Sequence, residues 1–206
     1  MKTTSLALSL AVAATATAQY YNITSAPFNL VVTSSDGSIN DTLSACHTGA
    51  ALESLCLSNS KTVSKPNPVA PAVFRFNTSS YSQAPEPGFG IPGILTWILP
   101  SIPPIPSSVF FNYDPTTNIA VPILGPGSDQ SQSLAFDAQN RLTVHGYVDW
   151  SVTPPNGTGN WKQYYRWYAC QTYYAAYDYE TLAWGLGPGK PKLPSCVAVS
   201  VTKVAV

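Results

Sequence analysis

Asp178 and Glu180 stand two residues apart in YDYETLAW. Side chains on a strand alternate with a period of two, so both carboxylates would face one way, about 7 Å apart. An inverting glycoside hydrolase sets its acid and base about 6.5–9.5 Å apart. Catalytic pairs, however, normally come from different strands across a cleft, and any solvated strand face produces the same spacing. The two histidines, His47 and His145, fall in separate segments, and no Gly-x-Ser-x-Gly elbow accompanies either. His47 is expected to fix the turn beside Cys46, and His145 to decorate a strand. Asp137 and Asp149 read as a turn residue and a rim charge. The expectation is a protein without enzymatic activity, with no catalytic residue, no cofactor and no metal. A metal site lacks its ligands, since there is no Cys-x-x-Cys and only two histidines.

Aromatic rings offer a different chemistry. Trp97, Trp150 and Trp161 flank loops rather than the centres of strong strands. Flat rings of this kind stack on sugar faces while Asn, Gln and Asp hold the hydroxyls, which makes the three the ligand-binding candidates. The densest aromatic stretch runs from Trp161 to Trp184, with seven of the twelve tyrosines and three of the five tryptophans. Each such ring buries roughly 150–250 Å², and aromatic enrichment favours strand over helix. This stretch is expected to be an aromatic hairpin, with Tyr165 and Trp167 facing one way and Arg166, Tyr168 and Cys170 the other. Across Tyr164–Trp184 only Arg166, Asp178 and Glu180 are charged, too few to keep the rings in water. Trp167 and Trp184 should therefore be buried, with most of Tyr164 to Tyr179 on the same core.

Residues 1–18 have the form of a secretory signal peptide: Lys2, an apolar stretch from Leu6 to Ala14, and Ala16-Thr17-Ala18 as a cleavage site. With Lys2 removed, nine basic residues face ten acidic ones, and only 10% of the chain is charged against a usual quarter. That composition speaks against nucleic acid or an anionic membrane as partner. Four N-x-S/T acceptors, at Asn22, Asn40, Asn77 and Asn156, point to N-glycosylation. Four cysteines in an oxidising compartment read as two disulfides with three possible connectivities. Local closure favours Cys46–Cys56, and a tie from the aromatic hairpin to the last strand favours Cys170–Cys196.

Residues 19–27 should form a flexible leader, and 28–206 a single domain with a Pro-rich loop region at 81–106. Alternating β-rich runs occur at 28–32, 42–47, 73–77, 94–99, 109–113, 118–124, 133–137, 141–147 and 196–201. Only TGAALESLCLSN has helical spacing, and its cysteine could equally hold it as a strand. The valine phase change after Val201 suggests a bulge near Thr202-Lys203. Three segments share one pattern, an apolar-x-apolar strand, a polar turn and a Leu-containing strand: FNLVVTSS…TLSAC, FRFNTSS…GILTWIL and LAFDAQ…NRLTVHG. With about twelve strands in three groups of four, the expected fold is all-β, a β-trefoil-like barrel. The alternative is a two-sheet antiparallel β-sandwich.

The residues CHTGAALESLC (46–56), RWYACQTYY (166–174), ETLAWGLG (180–187) and the late Cys196 resemble an uncharacterised domain family of small secreted proteins from filamentous ascomycete fungi. The resemblance runs from about Phe28 to Val206. It implies a fungal extracellular setting and supports the disulfide pairing above, and it implies no substrate or catalytic residue. The insertion at 84–106 stands apart from the family pattern.

The resulting expectation is a monomeric secreted glycoprotein, extracellular or associated with the cell wall, that binds an extracellular glycan or cell-wall polymer without catalysis. A protein-binding inhibitor or effector, presenting loops 81–93 or 100–108, is the alternative. A small glycoside hydrolase is the third.

Overall fold

The computed structural model describes residues 20–60, 69–157, 159 and 161–206. The segment read as a signal peptide lies outside the described residues. Fourteen strands, and no helix among the described residues, make the protein all-β. They are β1 (Ile23–Thr24), β2 (Phe28–Ser34), β3 (Asn40–Gly49), β4 (Leu52–Leu57), β5 (Arg75–Thr78), β6 (Ile94–Leu99) and β7 (Ile105–Asp114). The chain continues through β8 (Ile119–Pro126), β9 (Ala135–Phe136), β10 (Leu142–Gly146), β11 (Lys162–Tyr164), β12 (Trp167–Tyr174), β13 (Tyr177–Gly185) and β14 (Val197–Ala205).

Eleven strands form one antiparallel sheet in the order β1-β5-β6-β7-β8-β13-β12-β14-β2-β3-β4. At its far end β4 pairs again with β8 and β13, so the sheet curls back toward its own middle. The other three strands form a small sheet, β11-β10-β9. This division is compatible with the two-sheet alternative. Each of the three similar segments is an antiparallel pair: β2 with β3, β5 with β6 and β9 with β10.

The main core sits inside the curl, where Leu30, Leu43, Leu55, Phe74, Leu95, Leu124, Trp167 and Leu182 are almost fully buried. A second cluster, Ile119, Val121, Ile123, Cys170 and Ala183, lies on the other face of the same strands. Strand periodicity explains the split: Trp167 and Ala169 enter the main core, while the residue after each, Tyr168 and Cys170, meets the second.

Both expected disulfides are present, Cys46–Cys56 with Cα atoms 5.9 Å apart and Cys170–Cys196 at 4.2 Å. The second continues the ladder in which Ala169 pairs with Val197, and so clamps the start of β14 to β12.

Several expectations change. TGAALESLCLSN, open in sequence between a helix and a strand, holds strand β4. Its strand is buried on both faces, and continuous burial imitates helical spacing. No bulge occurs at Thr202-Lys203, because β14 pairs with β2 one to one from Val199↔Ser34 to Ala205↔Phe28. Val204 simply points outward, and the irregularity falls between His47 and Gly49. The leader is tied down: Ile23 and Thr24 pair with β5, and Asn22 exchanges two hydrogen bonds with Ser80. The 161–184 hairpin is divided, since β11 joins β10 and only β12–β13 form the hairpin.

Candidate functional site

The small sheet builds the most aromatic exposed region. Asp137 folds its hairpin: its carboxylate accepts hydrogen bonds from the Gln139 and Arg141 backbone N–H groups, from Arg141 Nε at 2.8 Å and from the Tyr165 hydroxyl at 2.9 Å. Burial works against its charge, but these donors, Arg141 foremost, hold the carboxyl below its ordinary range. The Arg141 guanidinium also lies 4.7 Å from the Tyr165 ring centroid. This knot joins the β9–β10 turn to the chain between β11 and β12, and Asp137 is thus a turn residue.

Behind the knot, the Trp167 indole N–H donates to the Leu142 carbonyl at 2.7 Å. The largest buried ring of the main core therefore anchors the small sheet. On β14, Lys203 N–H donates to the Asn140 carbonyl, a second tie.

Beyond β10 the chain leaves at Tyr147 and returns at Trp161. These two rings meet, with centroids 5.1 Å apart. Tyr147 is 49% exposed, and Trp150, near the tip of the loop, is 78% exposed. The loop is not formless. Asp149 and Asn156 exchange backbone hydrogen bonds, and the Asp149 carboxylate accepts from Ser151 N–H at 2.9 Å and Ser151 Oγ–H at 2.6 Å. Those bonds hold the Asp149 carboxyl below its ordinary value. A Cβ on Gly157 would lie 3.6 Å from the Tyr147 ring, so the returning chain rests on that ring.

His145 sits under this surface, opposite Gln163, with Phe89 edge-on at 5.2 Å and Trp161 at 6.4 Å. Burial lowers its pKa, which keeps the imidazole neutral. Phe89 arrives from the Pro-rich loop region at 81–106. It is pinned because Gly90 lies so close to the Phe136 carbonyl that no side chain fits there.

Of the three tryptophan candidates, Trp150 and Trp161 share one loop. Trp97 does not belong with them: it lies on β6, half-buried against the main core. Tyr147 was missed as a candidate. Its position three residues before Trp150, at a strand end, was the available signal.

The carboxylates do not gather into a cleft of their own. Asp178 lies opposite Tyr173 and Glu180 opposite Gln171, next to the turn of the β12–β13 hairpin. A buried acid does exist elsewhere. Glu53, 6% exposed on β4, lies opposite His47, whose Nδ1 is 3.5 Å from Glu53 Oε1. Burial raises the Glu53 pKa, and His47 offsets part of that. The Tyr179 hydroxyl donates to the His47 carbonyl at 2.7 Å, and the Tyr177 ring meets the imidazole edge-on at 5.5 Å.

Among the described residues no helix is long and apolar enough to cross a membrane. No curated protein and no solved structure matches the chain. Over residues 25–205 it matches one family, and the protein belongs to it: a domain of unknown function, DUF7907.

Proposed function

We propose that this protein is an extracellular, N-glycosylated binding module that holds a neutral glycan or wall polymer on the Tyr147–Trp150–Trp161 surface, without catalysing a reaction on it. The observation that carries the reading is the exposure of Trp150 on the loop whose two ends meet in the Tyr147–Trp161 ring pair, a loop braced by Asp149, Ser151 and Asn156. A ring this exposed gains nothing for the fold, whereas a sugar face stacked on it would remove apolar surface from water. The low charge of the chain suits an uncharged ligand. Two disulfides support an oxidising, extracellular setting.

The test is retention on insoluble chitin, glucan and cellulose. Wild-type protein should be retained by at least one of them, and Trp150→Ala should lose about tenfold in affinity, roughly 1.4 kcal/mol, with an unchanged melting curve. Equal retention of the two proteins would end this reading.

One observation favours the second reading, an inhibitor or effector presenting its loops to a protein. Tyr81 is 89% exposed, and Ile102, at the tip of the β6–β7 connection, is fully exposed. A protease panel inhibited by wild type and spared by Ile102→Asp would select it.

A further inference from the structure

On the outer face of β5–β6–β7 lies a cavity of about 200 Å³. Its lining combines Tyr21, Ile94 and Pro106 with Asn77, Thr96 and Ser128, and contains no charged side chain. Cavities for drug-sized ligands run to about 300–1,000 Å³, so this one suits a single ring. An apolar wall with amide and hydroxyl groups around it is the environment of a neutral, hydroxylated ring.

Asn77 opens the motif Asn77-Thr78-Ser79, an acceptor sequence for N-linked glycan. The strand register explains its place. Phe76 points into the core opposite Leu95, so Asn77, next along the strand, points out opposite Ile94, which forms part of the cavity lining. Asn77 Oδ1 accepts a hydrogen bond from Thr96 Oγ at 3.3 Å, which orients the amide whose Nδ2 is the atom that glycosylation modifies. The other three acceptors differ: Asn22, Asn40 and Asn156 are exposed, whereas Asn77 is half-buried between β1 and β6.

We infer that the cavity is the seat of the protein's own glycan, with the first N-acetylglucosamine on Asn77 packed against Tyr21 and within reach of the Thr96 and Ser128 hydroxyls. The glycan then acts as a structural ligand in a cavity that shares no lining residue with the Tyr147–Trp161 loop, so it stands or falls independently of polymer binding. Three of its neighbours come from distant parts of the chain: Tyr21 from the leader, Thr96 from β6 and Ser128 from the turn after β8. The sugar would join all three.

The full chain secreted from a eukaryotic host gives the test, through site-resolved mass spectrometry and the rate at which peptide-N-glycosidase removes each glycan under native conditions. Asn77 should be occupied, and its glycan should be released at least about tenfold more slowly than that of Asn156. Tyr21→Ala, which removes one wall without touching the core, should bring the Asn77 rate up to that of Asn156. Asn77 found bare, or released in wild type as fast as Asn156, or unaffected by Tyr21→Ala, overturns the inference. So does a protein with Asn77 bare that takes up free N-acetylglucosamine in this cavity, which would make it a site for sugar from solution.

Discussion

Two aromatic regions, the β12–β13 hairpin and the loop from Tyr147 to Trp161, carry similar residues and serve opposite ends. In the hairpin, Trp167 and Trp184 face each other across the ladder with ring centroids 4.8 Å apart, and Phe111 packs on both. They are 2% and 8% exposed. In the loop, Trp150 touches solvent over most of its surface. Ring content therefore says little about role. What separates the two is the backbone: strands paired on both sides present one face to a core, whereas a loop held by Asx-type bonds has no core beneath its tip.

The sharpest test of this contrast is a pair of substitutions. Trp167→Ala should destabilise the fold by about 3–5 kcal/mol, as for other buried large rings. It also removes the indole bond to Leu142 that anchors the small sheet. Trp150→Ala should fall within about 0.5 kcal/mol of wild type. Denaturant titration reads both, and similar losses at the two positions would erase the distinction.

Next in size is the tether beneath the exposed region. Gly90→Ala forces a Cβ against the Phe136 carbonyl and should cost about 1–3 kcal/mol, in line with other overpacked sites. Because Phe89 leans on His145, the same variant should raise the amide exchange of β10 and β11 while leaving β12 protected.

A smaller gain is available at the hairpin turn. Ala175 and Ala176 adopt φ of 49° and 71°, the left-handed region that costs non-glycine residues about 1–2 kcal/mol each. Replacing the pair by Asn-Gly, the usual choice for such a turn, should stabilise the hairpin by about 1 kcal/mol. A lower melting temperature would show that the alanines pack in ways the backbone does not reveal.

The smallest effect is a pH dependence at the hairpin's far edge, where Tyr177 and Tyr179 cover His47 and Glu53. The folded-state pKa of Glu53 is raised by burial, so its contribution is fully present below the unfolded value of about 4.3 and is lost as pH rises through the folded one. Wild type should therefore lose stability relative to Glu53→Gln between about pH 4 and neutrality. Melting temperatures that stay parallel across that window would place the carboxylate in a better-solvated setting than its burial implies.

Much of the hairpin was readable in advance. Alternation placed Trp167 on one face and Tyr168 and Cys170 on the other, and the scarcity of charge required burial of Trp167 and Trp184. One part of that reading failed: the tyrosines do not share a single core. Tyr164 packs on the main core, Tyr168 and Tyr174 on the second cluster, and Tyr177 and Tyr179 beside the Cys46–Cys56 disulfide, while Tyr173 is exposed. A strand with partners on both faces distributes alternate residues between two interiors, and one-dimensional spacing cannot tell which interior each side meets. Likewise, the nearness of Trp97 to a loop in sequence does not reveal that its face of β6 turns toward the main core.

By itself, the sequence determined the all-β class, most strand positions and the local disulfide, because alternation, turn chemistry and short-range closure are properties of neighbouring residues. Only the tertiary structure decided that β11 leaves the aromatic hairpin for β10, that the Pro-rich loop brings Phe89 to His145, and that Asn77 faces a cavity. Each of these depends on register between segments far apart in the chain, where the competing pairings differ by packing and not by local preference.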